Sequence, residues 1–202
     1  MHLDLYTPAH LRRSTRRLTS SFFAQAAQDL APALLGCVLT HGETAGMIVE
    51  TEAYLGLDDL AAHAARGLTA RTRVMFGPAG RAYVYFIYGM HECLNVVADR
   101  KGNPGCVLIR ALEPLVGLAE MYRRRNWQGS PRGLANGPGK LTQALAITRE
   151  HYGHRLDIGD LTIRAWRKKP AFDIGITPRI GITHCADWPL RFIWAGHPAL
   201  SR

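Results

Sequence analysis

The sequence is poor in cysteine, and no two cysteines have the spacing of a metal-binding or redox pair. Each of the four lies in an apolar or strand-like stretch, at Cys37, Cys93, Cys106 and Cys185. Isolated cysteines of this kind are typically buried free thiols in a reducing compartment. His63 and His91 belong to no HExxH-type motif, so we predict no metal site.

Long apolar runs are also missing. No stretch approaches the roughly 18 apolar residues that a membrane-spanning helix needs, and the N-terminus lacks the apolar region of a secretory signal. We therefore expect an intracellular protein without a membrane partner, cytoplasmic and nucleoid-associated if it is bacterial. The first residues include the basic stretch "LRRSTRRL", and we interpret 1–20 as a basic N-terminal arm and 21–202 as a single domain.

Acidic residues are outnumbered by basic ones. The chain has 25 Lys and Arg against 16 Asp and Glu, a net charge of +9. This surplus favours a polyanionic partner, either nucleic acid or an acidic membrane surface. With 202 residues, of which 47% are hydrophobic, the chain is long and apolar enough for one globular domain.

Apolar periodicity predicts strands in the middle of the chain with helices around them. We expect helices at 20–36, 116–125 and 140–148, and a long Gly/Pro/Asn loop at 126–140. The predicted strands are 37–41, 46–55, 81–89, 92–99, 105–115, 160–166, 179–183 and 190–194. This order indicates an α+β domain with a largely antiparallel sheet and flanking helices.

The stretch "IVETEAYLG" places two acids and a tyrosine on one strand face. Because side chains alternate along a strand, Glu50, Glu52 and Tyr54 point one way, opposite to Val49, Thr51 and Ala53. One interpretation is a solvent-exposed strand face. The other is a partly desolvated glutamate that acts as a general base beside a stacking ring.

The stretch "YVYFIYGMH" (83–91) is apolar on both faces, as in a central strand that is packed on both sides. Gly89 complicates that interpretation, because a glycine at the end of the run permits a sharp turn. Tyr88 and Met90 would then lie at an exposed tip, which is unfavourable unless they enter a partner, for example opened DNA steps. We expect Tyr83, Phe86 and Ile87 in the core.

Taken in order, the segments form a longer pattern. They are "DLAPALLGCVL", "IVETEAYLGLDDLAAHAARG", "RTRVMFGPAGRAYVYFIYGMHECLNVV", "GCVLIRALEPLVGL", "NGPGKLTQALAI" and "RIGIT…WPLRF". The pattern closely resembles the alkyladenine (3-methyladenine, methylpurine) DNA glycosylase family, the human-type enzymes with their bacterial relatives, over about residues 22–195. The resemblance implies a single mixed domain around a curved antiparallel sheet, with no metal and no organic cofactor.

The resemblance also implies an activity. The family removes damaged purines from double-stranded DNA, 3-methyladenine first and also 7-methylguanine, hypoxanthine or ethenoadenine. No lysine stands in a motif suited to lyase chemistry, so we expect a monofunctional enzyme, and a monomer. The alternative is a protein of the same fold that binds damaged nucleic acid without cutting it.

Catalytic roles carry over at matching positions. Glu52 resembles the general base that activates a water against C1′ of the flipped nucleotide. Arg110 resembles the residue that helps to hold this water, with the backbone carbonyl of Ile180 as a third ligand.

Pocket and DNA contacts carry over in the same way. Asn95 resembles the residue that crowds the 2-amino group of guanine, and Tyr88 the wedge that fills the gap left by the flipped base. Met90 would lie against neighbouring bases. The remaining walls of the base pocket would be Tyr54, His63 and Tyr85.

Two positions depart from the family pattern. His91 stands where many members have an aromatic residue, and "TARTR" (69–73) replaces the usual "TPRNR". Both changes fall near the expected DNA contacts and outside the expected catalytic pair.

Overall fold

One antiparallel sheet of nine strands organises the protein in this computed structural model, which describes residues 4–99 and 102–201. The α+β class and the antiparallel sheet are therefore confirmed. Along the sheet, seven strands follow the order 15–17, 162–166, 38–41, 44–54, 106–116, 91–97 and 82–87, and the strand at 191–194 pairs with 44–54 and with 174–177. Residues 1–3 of the predicted arm and residues 100, 101 and 202 of the predicted domain lie outside the described residues.

The strands are short except for the central pair. Their bounds are β1 Thr15–Arg17, β2 Val38–His41, β3 Thr44–Tyr54, β4 Ala82–Ile87, β5 His91–Val97, β6 Cys106–Val116, β7 Thr162–Trp166, β8 Ile174–Thr177 and β9 Arg191–Trp194. The α-helices are α1 Pro8–Ser14, α2 Ser20–Phe23, α3 Ala27–Leu34, α4 Leu118–Arg125 and α5 Pro138–Leu145. Short 3-10 helices occupy His63–Arg66, Arg73–Phe76, Pro131–Gly133 and Arg149–His151.

The main core lies between one face of the sheet and helices α3, α4 and α5. Alternate strand residues point into it, namely Val84, Leu94, Val96, Val107 and Ile109. Helix α3 contributes Leu30 and Leu34, both fully buried. Burying an aliphatic side chain of this size contributes roughly 1.5–3 kcal/mol, so this layer fixes which face of the sheet remains for a site.

The basic segment predicted to be an arm is packed on the sheet from residue 4 onwards. Thr7 caps α1 by accepting a hydrogen bond from the backbone N–H of His10 at 3.1 Å. Leu11 is buried in a small second cluster, and β1 pairs with β7 at the edge of the sheet. The arginines between residues 12 and 17 remain exposed.

Three local predictions were wrong. The single helix expected over 20–36 is divided into α2, which ends at Phe23, and α3, which begins at Ala27. The loop at 126–140 is interrupted by the 3-10 helix at 131–133, and α5 begins inside it at Pro138. Residues 179–183 form no strand, and the strand before β9 is Ile174–Thr177. At 179–183 the chain turns at Gly181, with φ of 74°, and its polar groups bind loop and site residues instead of a neighbouring strand.

All four cysteines are free, and Cys37, Cys93 and Cys106 are buried as predicted, whereas Cys185 is half-buried. Among the described residues, no helix is both long and apolar enough to cross a bilayer.

Candidate active site

The sheet face opposite the main core carries a cavity of about 380 Å³, within the usual size range of ligand sites. Cross-strand partners share a face, so the pairs Tyr83–Asn95, Tyr85–Cys93 and Glu52–Leu108 bring side chains of four neighbouring strands to this side. Of the predicted site residues, those that line the cavity are Tyr54, His63, Tyr85, Tyr88, Asn95, Arg110 and Ile180.

Glu52 lies behind the cavity wall and is completely buried. Its Oε1 accepts a hydrogen bond from the backbone N–H of Ile180 at 2.8 Å and forms an ion pair with Arg110 Nη1 at 3.2 Å. Its Oε2 accepts the hydroxyl of Tyr54 at 3.0 Å. An ionised carboxylate offers about four acceptor positions, so these contacts leave Glu52 capacity for a further donor such as a water molecule. The interpretation of a solvent-exposed strand face is therefore wrong.

Glu50, the other acid of the pair, accepts four hydrogen bonds. Its Oε1 accepts from Arg110 Nε at 3.0 Å, Arg191 Nε at 2.7 Å and the hydroxyl of Ser201 at 2.7 Å. Its Oε2 accepts the backbone N–H of Ser201 at 2.6 Å. Two acids that are two residues apart are thus held differently, because Glu50 accepts four hydrogen bonds whereas Glu52 accepts two and forms one ion pair.

Arg110 reaches both acids because the β3–β6 ladder is irregular at this point. Ile48 faces Leu112 and Glu50 faces Ala111, but Thr51 faces Ile109, so Arg110 has no partner on β3. Such a bulge re-aims the side chain of its extra residue. Here the bulge directs the Arg110 guanidinium between the two carboxylates.

Tyr54 is fixed from behind by an arginine that the sequence did not reveal as part of the site. The Arg179 guanidinium lies 4.6 Å from the Tyr54 ring centroid and pairs with Asp59 at 2.5 Å. The side chains of Arg179 and Asp59 are both fully buried. Burial, followed by the negative charge of Glu52, raises the pKa of Tyr54 above its usual range, so its hydroxyl stays protonated and donates to Glu52.

His63 and Tyr85 form the facing wall of the cavity. Their rings meet edge to face at 4.6 Å, and His63 Nδ1 lies 2.8 Å from the hydroxyl of Tyr83. Burial, together with the positive charges of Arg71 and Arg66, lowers the pKa of His63 to about 4. The imidazole is therefore neutral near pH 7 and keeps one donor and one acceptor nitrogen.

Asn95 is held rigidly on the floor of the cavity. It is 2% exposed, and its amide donates to the backbone carbonyl of Tyr83 at 3.3 Å. Its carbonyl oxygen lies 3.8 Å from the Cys106 thiol. A side chain with both ends bound in this way limits what can enter beside it.

The β4–β5 hairpin presents two apolar side chains to solvent at the rim of the cavity. Tyr88 is 78% exposed and Met90 is 67% exposed. Tyr88 has a φ of 54° and Gly89 a φ of 68°, and the turn closes with the Met90 N–H on the Ile87 carbonyl. A left-handed conformation costs a residue other than glycine roughly 1–2 kcal/mol, so Tyr88 is held out at the tip at the expense of backbone strain.

The prediction that Tyr83, Phe86 and Ile87 lie in the core is correct for Tyr83 and wrong for Phe86 and Ile87. Tyr83 is buried at 1% exposure, as expected of a core residue. Phe86 is not in the core, because β4 is an edge strand and this ring is 40% exposed, with the Arg149 guanidinium 4.7 Å from its centroid. Ile87 is half-buried and lines the cavity.

His91, where the sequence departs from the family pattern, packs on the first turn of α5. A Cβ built on Gly139 would lie 2.8 Å from His91 Cγ, so the close contact depends on this glycine. Both residues line the cavity.

Sequence reasoning missed four contributors to the site, Asp59, Arg179, Arg191 and Ser201. Arg179 fell in a segment predicted to be a strand, and Ser201 lies beyond the quoted motifs. Within 4–99 and 102–201, no three His, Cys, Asp or Glu side chains are grouped so that they could hold a metal ion.

Comparison with known proteins gives a consistent result. The family model described as methylpurine-DNA glycosylase (MPG) matches residues 21–198. A protein of Methanoculleus marisnigri is 51% identical over 191 residues, which cover 92% of this chain and 98% of its own. One of Rhodopseudomonas palustris is 50% identical over 87% of this chain and 83% of its own. One of Chlorobaculum tepidum is 45% identical over 93% and 91%.

All three relatives carry the provisional name 3-methyladenine DNA glycosylase. The family match covers most of the chain and includes β3 to β6, the strands that build the cavity. The chain belongs to the methylpurine-DNA glycosylase family.

Proposed function

We propose that the protein is a monofunctional purine DNA glycosylase, which flips an alkylated purine out of duplex DNA and hydrolyses its N-glycosidic bond. One observation carries the proposal: a buried glutamate, held by three residues that line the cavity, lies directly behind its wall, and the rim of the cavity holds an exposed aromatic tip. Membership of the family and the names of the relatives support the same activity.

The reaction needs a water molecule that Glu52 can deprotonate. The open acceptor position takes this water, and Glu52 receives its proton as the oxygen attacks C1′ and the bond to the purine breaks. Arg110 and the backbone of Ile180 already contact Glu52 from the cavity side, where they would also contact the water. An alkylated purine leaves readily because N3 or N7 alkylation makes it cationic, and the carboxylate balances charge that develops on the sugar.

A flipped purine fits between flat walls. Tyr54 and Tyr85 supply ring faces, while neutral His63 and Asn95 supply hydrogen-bonding groups at the edges. A guanidinium already lies over each ring, that of Arg179 at 4.6 Å from the Tyr54 centroid and that of Arg71 at 5.0 Å from the Tyr85 centroid. We therefore place the cation–π gain for a cationic purine at the lower end, roughly 0.5 kcal/mol.

DNA binding would combine a wedge with phosphate contacts. Flipping a base costs roughly a few kcal/mol, and an inserted Tyr88 ring offsets part of that cost by stacking in the vacated place. Met90 beside it would contact the neighbouring bases. The arginines of residues 12–17 are exposed and form no ion pair with a carboxylate among the described residues, which leaves them available for phosphates.

The test is Glu52→Gln, compared with Glu120→Gln as a matched control on the surface of α4. A duplex with a single 3-methyladenine is incubated with each protein, and the free base is measured by chromatography. We expect the control to match the unmodified protein. Glu52→Gln should lose excision but retain binding to a duplex with an abasic-site analogue.

Two results would count against the proposal. Undiminished excision by Glu52→Gln would refute the role of Glu52 as the general base. Binding without any release of base by the unmodified protein would favour the non-catalytic alternative. Parallel assays with 7-methylguanine, hypoxanthine and ethenoadenine duplexes would define which lesions are accepted.

A further inference from the structure

Glu50 and Ser201 are buried beside the site but do not line the cavity. They cannot touch a base that is bound there, yet they bind two of the three guanidinium nitrogens of Arg110. Arg110 Nε donates to Glu50 at 3.0 Å and to the Ser201 hydroxyl at 3.2 Å, and Arg110 Nη2 donates to the same hydroxyl at 3.2 Å.

The guanidinium is planar, so holding two of its nitrogens fixes the third. With Nε and Nη2 engaged on the side of Glu50, only Nη1 reaches Glu52, at 3.2 Å. An arginine without this restraint favours two parallel hydrogen bonds to one carboxylate. Arg110 would then take the acceptor position of Glu52 that is open to water.

Charge is balanced within the same group of side chains. Glu50 and Glu52 carry two negative charges, and Arg110 and Arg191 supply two positive ones. Arg191 pairs with Glu50 at 2.7 Å and binds Thr177 at 3.0 Å, so Glu50 is neutralised without drawing Arg110 fully away from Glu52. The segment before Ser201 lies against the irregular part of the β3–β6 ladder, where Ala199 packs on Val49 and Ala111.

We propose that Glu50 and Ser201 are positioning residues for base excision, which hold Arg110 so that one acceptor position of Glu52 stays free for the attacking water. This inference rests on the proposed function of Glu52 and Arg110. It adds a serine far along the chain to the determinants of the rate, although that serine never contacts the DNA.

The experiment compares Ser201→Ala, Ser201→Thr and Glu50→Gln with a matched control, Thr51→Val. Thr51 lies on the same strand between the two acids, and its hydroxyl bonds to the Ala31 carbonyl at 2.9 Å on the core side. For each protein we would measure the single-turnover excision rate with enzyme in excess, the affinity for an abasic-analogue duplex, and the Tm.

We expect Ser201→Ala to slow excision by about 10- to 100-fold, as when a group that orients a reacting residue is removed. Its affinity for the duplex should be unchanged. Glu50→Gln should slow excision at least as much, because the amide places a donor where four donors converge. Ser201→Thr keeps the hydroxyl and should restore most of the rate, whereas Thr51→Val should lower only the Tm.

Ser201→Ala at the unmodified rate would overturn the inference. So would a slowing that Thr51→Val reproduces at an equal loss of Tm, because that would indicate a purely structural role. Failure of the proposed function looks different, since excision would be absent from the unmodified protein or would survive Glu52→Gln. Either of those results would overturn both proposals together.

Discussion

The exposed ring of Tyr88 allows the DNA-binding role of the hairpin to be separated from its contribution to stability. Tyr88 is 78% exposed and has a φ of 54°, so in the free protein its ring buries little and its backbone is strained. Glycine relieves roughly 1–2 kcal/mol of that strain and costs roughly 0.5–1 kcal/mol in chain entropy. Tyr88→Gly should therefore leave the free energy of unfolding unchanged or raise it by up to about 1.5 kcal/mol.

The affinity of the protein for DNA, in contrast, should fall. Stacking of an aromatic side chain on a base contributes roughly 1–3 kcal/mol, which corresponds to a loss of affinity of roughly 5- to 150-fold when the ring is removed. Urea unfolding gives the stability, and fluorescence anisotropy with an abasic-analogue duplex gives the affinity. Tyr88→Phe should retain most of the binding.

The matched control is Ile158→Ala, which removes an apolar side chain that is 46% exposed and lies outside the cavity lining. It should change neither quantity much. A Tyr88→Gly protein that is markedly less stable, or that binds the duplex as tightly as the unmodified protein, would refute the reasoning. The first result would mean that the ring is a packing element, and the second that it does not enter DNA.

Three further predictions concern pH, a buried ion pair and salt. The pKa of His63 is lowered from 6.5 to about 4, so between these pH values the unfolded chain binds a proton that the folded chain does not. The contribution of His63 to the free energy of unfolding is therefore fully present above pH 6.5 and is lost as the pH falls to about 4. Urea unfolding at a series of pH values should show this loss in the unmodified protein and not in His63→Gln. Arg179→Met should lower the free energy of unfolding by about 3–5 kcal/mol, because it leaves the buried carboxylate of Asp59 without its ion-pair partner. Adding Asp59→Asn to the same chain should restore part of this loss, and a loss that the second change does not reduce would contradict the pairing. Changing the four arginines of residues 12–17 to Gln should reduce the slope of log K against log salt concentration for duplex binding by roughly 1–4, about 0.9 for each phosphate that is no longer bound. An unchanged slope would exclude these arginines from DNA binding.

The sequence predicted the strands well where alternation is strong and local. The segments 46–55, 81–89 and 105–115 correspond to β3, β4 and β6, because their apolar side chains bury against one helix layer. It failed at 179–183, where an apolar pattern is used for loop contacts. The cause is Arg179, whose buried partner Asp59 is distant in sequence.

The two acids of "ETEAY" show the same limit at the site. Both were expected on one strand face, and both are buried there. Which of them accepts more hydrogen bonds depends on Arg191 and Ser201, which approach Glu50 from about 140 and 150 positions away in the chain. The sequence pattern of β3 gives no sign of those donors, so the different hydrogen bonding of the two acids could be seen only in the structure.

The irregularity around Arg110 has a consequence for how the chain tolerates changes in length. Val49 is an extra residue on β3 and Arg110 is an extra residue on β6, and the two offset each other, since the pairing Ile48–Leu112 resumes in the same phase at Thr51–Ile109. Deleting only one of them would slip half of the ladder by a single place and turn Glu52 toward the aliphatic layer. Gains or losses of a residue here can be accommodated only in pairs, one on each strand.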